Sequence, residues 1–168
     1  MTVGTTETLI AVLDKGRNAL SKDADLHFDP SGGWRIFRPR DRYAYPAAVE
    51  LIAEDLVRTE DGLGVVAMVE DSDWAYVAGV TPDGVVARFL IHPDGAEGYA
   101  EGEQVLASIR SDHTAQADGL SMFATLAGRQ IATERILRIE QSDDVLAEQP
   151  MFLLLDELGI DLPNSLFE

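Results

Sequence analysis

Asp23, Asp25, His27 and Asp29 recur at every second position, so an extended strand would project three carboxylates and one imidazole from the same face. Carboxylate oxygens beside an imidazole nitrogen are donors that take divalent cations, and a small metal-dependent enzyme is one reading of the chain. Two features oppose it. The central Gly and terminal Glu of an EF-hand loop are missing, and same-face neighbours on a strand stand about 7 Å apart, too far for adjacent side chains to clasp one ion easily. The same four residues also describe an ordinary solvated strand face.

A second cluster mixes cations with rings. Arg35, Arg38, Arg40 and Arg42 fall within eight residues of an otherwise acidic chain, interleaved with Trp34, Phe37, Tyr43 and Tyr45. Arg, Trp and Tyr dominate the energetically important positions of protein interfaces, which makes Trp34, Arg35, Phe37, Arg38, Arg40, Arg42 and Tyr43 the candidate partner-contact residues. The competing reading is that these arginines neutralise nearby carboxylates, where an exposed pair contributes about 0–1 kcal/mol.

Weaker motifs follow. Asp71-Ser72-Asp73 has the Asp-x-Asp spacing that holds a metal in some sugar-nucleotide transferases, yet Asp and Ser are also the residues that turns prefer. No Gly-x-Gly-x-x-Gly and no Gly-Lys-Ser or Gly-Lys-Thr loop supports a nucleotide-binding half, and no cofactor is expected. His92, before Pro93, and His113, beside Asp112, have no Gly-x-Ser-x-Gly nucleophile to serve and read as strand-end and loop residues. The absence of Cys removes thiol nucleophiles, thiolate ligands and disulfides together, and a reducing, cytoplasmic setting is the expected one.

The elements that must position these residues come from periodicity and turn chemistry. Thr5 and Thr6, followed by Leu9, Ile10, Leu13 and Leu20 at helical spacing, predict a first helix over Glu7 to Ser21. Alternation over Asp23 to Asp29 predicts a strand, Pro30 to Gly33 a turn, and Trp34 to Arg38 the returning strand of a hairpin. Pro46 opens a helix with Ala48, Val49, Leu51, Ile52 and Leu56 on its apolar face, ending near Asp61-Gly62. Gly64 to Glu70, Trp74 to Val80 and Val85 to His92 form a three-strand meander through two turns, and Val85 to Ile91, apolar on both sides, is expected in the middle of the sheet. Helices are expected over Tyr99 to Arg110 and Leu120 to Ala127, while Ile131 to Glu140 is ambiguous. Ser142-Asp143-Asp144 and Pro150 resemble helix starts, Met151, Leu154, Leu155 and Leu158 form a stripe that Gly159 ends, and the tail to Phe167 packs back. The sum is a single α+β domain over residues 1–168, an antiparallel sheet of about five strands with helices on one face and a helical C-terminal segment.

Charge narrows the partners. Thirty Asp and Glu against 13 Lys and Arg give a net charge of −17 over 168 residues, while 46% hydrophobic content supplies a core. Such a field repels phosphate backbones and anionic lipid and attracts cationic proteins, so a basic protein partner is expected, with no nucleic acid. No apolar run approaches the ~20 residues of a membrane span, and no membrane role is expected. In size, charge and element order the layout resembles bacterial immunity proteins and secretion-effector chaperones. That resemblance implies a non-catalytic protein that neutralises or escorts a basic partner, and it assigns no residues. A further alternative is a self-associating structural or regulatory domain, a homodimer covering Met151 to Phe167.

Overall fold

The run from Thr8 to Leu13 has no polar face to offer solvent, and it forms a strand rather than the expected helix. In the computed structural model, β1 (Glu7–Leu13) has Leu9, Ile10, Ala11 and Val12 fully buried, whereas Leu20, counted toward the helical stripe, is 81% exposed. An unbroken apolar run satisfies helical spacing and a strand buried on both faces equally well, so periodicity could not separate them. The structure describes residues 6–13, 19–30, 33–58, 62–100, 103–109, 112–141 and 146–162. The helix starts expected at Thr5 and Ser142 to Asp144, the helix stop at Asp61 and the end of the tail from residue 163 lie outside them.

The other strands are β2 (Ala24–Phe28), β3 (Arg35–Pro39), β4 (Leu63–Glu70), β5 (Trp74–Thr81) and β6 (Gly84–Ile91). They form one six-stranded sheet in the order β2-β3-β1-β4-β5-β6, with every neighbouring pair antiparallel. The fold is α+β. The count exceeds the expected five because the first helix is a strand, and that strand separates the hairpin from the meander. Val85 to Ile91 lies at an edge instead of the middle, with Ala87, Phe89, Leu90 and Ile91 covered by helices on either side and Val86 exposed.

Helices cover both faces of the sheet rather than one. α1 (Pro46–Arg58) and α3 (Gln104–Ile109) bury Val49, Ala53, Leu56, Leu106 and Ile109 against Ile10, Val66, Tyr76 and Leu90. On the opposite face α4 (His113–Leu126), α5 (Thr133–Glu140) and α6 (Glu148–Glu157) pack Phe123, Ile136, Met151 and Leu154 against Leu9, Val65, Val77 and Phe89. Successive residues of the central strands point to opposite sides, and both sides are aliphatic, so a single helical layer would leave half of them in water.

Smaller corrections follow the same logic. Leu51, assigned to the apolar face of α1, is exposed. The helix expected from Tyr99 to Arg110 divides into α2 (Glu97–Ala100), entered through a 3-10 turn at Pro93–Ala96, and α3. α6 starts at Glu148 with Pro150 in its first turn, and Gly159 at φ 81° follows its C-cap, Leu158. No described helix is long and apolar enough to cross a membrane.

Candidate functional site

The arginine and aromatic strip divides at Pro39. Trp34, Arg35 and Phe37 are interior, at 6%, 4% and 1% exposure, and so cannot meet a partner. β3 lies between β2 and β1 under cover on both faces, and the Arg35 guanidinium stands 5.4 Å above the Phe37 ring. Arg38 Nε lies 3.1 Å from Glu7 Oε1 and joins β3 to β1. Arg40 Nε donates to Asp25 Oδ1 at 3.1 Å and joins β3 to β2. Of the seven candidate contact residues, Arg40, Arg42 and Tyr43 are exposed.

The carboxylates of β2 do not converge. A register shift between Leu26 and Phe28 breaks the alternation, so that Ala24 packs with one core and Phe28 against the other. Asp25 is paired with Arg40, and among the described residues no three His, Asp or Glu side chains gather as metal ligands. The shared face of Asp23, Asp25, His27 and Asp29 required an unbroken strand period, which the bulge interrupts.

A different site forms where β1, β4 and β5 end under α2, α3 and the segment entering α1. Cross-strand pairing sets Thr8 opposite Met68 and Glu70 opposite Trp74. Together with Tyr99, Glu103 and Leu106 from the α2–α3 region and Arg42 to Pro46, they line a cleft of about 250 Å³. Trp74, 3% exposed, forms one wall, and the Tyr99 ring stands 5.4 Å from it at 57°. An Asx turn, in which the Tyr43 N–H donates to Asp41 Oδ1 at 2.9 Å, holds Tyr43 at the mouth. Tyr43 is 85% and Tyr45 67% exposed, two large rings without cover.

The cleft is negatively charged. Glu103 is buried, with one oxygen accepting the Val105 N–H at 3.3 Å. Burial, and then the neighbouring Asp71 carboxylate, raise the pKa of Glu70. Burial also raises that of the Tyr99 phenol, as do Glu70, Asp71 and Asp73, which places these carboxylates within electrostatic reach of the ring. The Trp74 Nε1–H has no acceptor among the described residues.

The turn that carries these carboxylates is held from several sides. Asp71 and Ser72 adopt left-handed conformations at φ 52° and 60°, unusual for non-glycine residues. The Asp71 N–H donates to Thr6 Oγ1 at 3.1 Å, Ser72 Oγ to Glu148 Oε1 at 3.0 Å, and the Ala147 N–H to the Ser72 carbonyl at 3.0 Å. Gly95 lets the chain entering α2 lie directly on this turn, since a Cβ there would stand 2.3 Å from the Asp73 carbonyl oxygen.

Two other polar clusters are occupied in holding the fold. Tyr76 Oη donates to Glu50 Oε1, and Arg88 grips the same carboxylate with Nε at 2.8 Å and Nη2 at 3.0 Å, tying α1 to β5 and β6. His113 Nε2 lies 3.3 Å from Glu140 Oε2, linking α4 to α5. A second cavity of about 350 Å³ lies between β6, α3 and α4. Its main polar groups are committed: Arg88 to Glu50, Asp112 Oδ1 to the Ala115 N–H and Gln116 Oε1 to the Leu90 N–H.

Sequence reasoning missed Trp74, Tyr99, Glu70 and Glu103 as one group. The turn at Asp71 to Asp73 implies the Glu70–Trp74 pairing, and strand period puts Met68 with Glu70. Nothing in the sequence brings Tyr99 and Glu103 to them. No family model, curated protein or solved structure matches the chain.

Proposed function

We propose that this protein is a non-catalytic, acidic interaction module that binds a basic protein partner through the face around the Trp74–Tyr99 cleft. One observation carries the reading: chain segments far apart in sequence contribute two exposed tyrosines, two cleft-wall rings and two carboxylates to a single opening. Exposed Tyr rings cost little entropy when they dock, and a field of net charge −17 steers a cationic partner toward them. Arg42 and Tyr43 are the members of the strand-hairpin strip that this reading retains. The role would be that of an immunity protein or effector chaperone, neutralising or escorting its target.

The alternatives lose support. The β2 carboxylates needed by a metal-dependent enzyme are divided by a bulge, and of the stretch Met151 to Phe167 offered for a homodimer, Met151, Leu154, Leu155, Leu158 and Ile160 are buried in the molecule's own core.

The test is capture from native lysate by the immobilised protein at about 20 mM and about 300 mM salt, conditions on either side of physiological screening. Eluted proteins are identified by mass spectrometry, purified and returned to the free protein. A basic protein that rebinds at one-to-one stoichiometry and loses affinity with salt, and with Tyr43→Ala, is the expected result. Recovery of acidic proteins alone, or of none, would refute the proposal.

A further inference from the structure

We propose that the Trp74–Tyr99 cleft receives a lysine side chain of the partner, its ammonium group held against the two rings and between the Glu70 and Glu103 carboxylates. The inference rests on the reading of the protein as a binder of a basic partner and adds the chemical group that is recognised.

Size comes first. A volume of about 250 Å³ lies below the range of about 300–1,000 Å³ typical of small-molecule sites, and it suits one inserted side chain better than a free cofactor. The lining is divided as a lysine is divided. Met68 and Leu106 supply an apolar floor for a methylene stem, while the rings and carboxylates supply a seat for a cation. A cation within about 6 Å of a Trp or Tyr ring is attracted by its quadrupole, more strongly where water is excluded. Trp74, at 3% exposure, is largely enclosed by protein.

The carboxylates select the form of cation. They come from different elements, and one oxygen of Glu103 already accepts the Val105 N–H. A guanidinium fork seeks both oxygens of one carboxylate, whereas a compact ammonium can sit between two acceptors on separate chains. Arg42 lines the same cleft and carries like charge. It therefore opposes entry, and its removal should strengthen binding.

The experiment is a ¹H–¹⁵N NMR titration at low salt with N-acetylated tetralysine amide, its fully Nε-acetylated counterpart and tetra-arginine. Tetralysine should shift the Trp74 indole and the amides of Tyr99, Glu103 and Leu106 saturably. The acetylated peptide should leave them in place, and tetra-arginine should bind several-fold more weakly. Tyr99→Ala and Glu70→Gln should each weaken tetralysine about fivefold without lowering the melting temperature, and Arg42→Ala should tighten it a few-fold, changes within the range of single cation–ring and charge contacts. Shifts confined to other acidic surfaces, or affinity unchanged in both weakening variants, would overturn the lysine site while leaving the basic-partner reading intact. Absence of any tetralysine binding would also overturn it. Failure of lysate capture to yield a basic partner is the separate result that removes the underlying reading.

Discussion

At the scale of residues, two carboxylates make opposite contributions to stability. Glu70 is raised above the ordinary value of 4.5 by burial and by Asp71, so it favours the folded state when protonated. That contribution is present below the ordinary value and is lost as pH rises through the folded one. Asp71→Asn removes one of its two causes, and carboxyl NMR titration should find the Glu70 pKa lowered toward the ordinary range. An unmoved titration would show that Asp71 does not act on it. Glu140 behaves conversely: burial raises its pKa, but the neighbouring His113 imidazole and the His92 N–H outweigh that, and the net shift is downward from 4.5. Its stabilisation is present above the ordinary value and disappears as pH falls through the lowered one. Glu140→Gln should therefore lower the melting temperature at neutral pH and narrow the gap from wild type at strongly acid pH. Equal losses at both would assign the effect to packing instead. Residue chemistry of this kind was only half legible in the sequence. The arginine strip was visible as composition, but whether Arg35 faced a partner or Phe37 depended on what covered β3.

At the scale of elements, α1 is fixed by polarity as well as by its apolar face. Glu50 is buried and shared by Tyr76 and Arg88 on two strands, so Glu50→Ala leaves a buried phenol and a partly buried guanidinium without their acceptor. Breaking a buried ionic group in this way costs about 3 kcal/mol, and chemical denaturation should register that loss with little change in the denaturant slope. A loss under about 0.5 kcal/mol, the size of an ordinary surface substitution, would show that the network holds nothing. α4 docks on the opposite face through a contact that only glycine permits: a Cβ at Gly79 would lie 2.5 Å from the Phe123 ring. Gly79→Ala should cost about 1–3 kcal/mol by overpacking, and Phe123→Leu in the same molecule should recover part of it in a double-mutant cycle. Strict additivity of the two substitutions would show that the ring does not press on the strand. The meander and α1 were legible because hairpin turns and a helical stripe are local signals. β1 was not, since its flanking segments gave no cue that both its faces would be covered.

At the scale of the whole molecule, charge acts on folding and association in opposite directions. A net charge of −17 repels itself in the compact state and would draw in, from a distance, the basic partner we propose. Added salt screens both effects, so the melting temperature should rise between low and physiological ionic strength while affinity for a basic partner falls. Thermal melts and calorimetric titrations over one salt series test this together. A complex indifferent to salt would mean that steering by the acidic body plays no part in binding.

The sequence alone determined what local chemistry can specify: the α+β class, the three-strand meander and its turns, the start of α1 at Pro46 and the lack of thiol chemistry. Each follows from side-chain period, turn residues or composition, which are complete within a short stretch of chain. Only the tertiary structure decided that Glu7 to Leu13 is the strand joining hairpin to meander, that Trp34, Arg35 and Phe37 turn inward, and that Tyr99 and Glu103 meet Trp74 and Glu70. Those outcomes depend on pairing between distant segments. That pairing is set by burying both aliphatic faces of one sheet, a requirement that no single segment records.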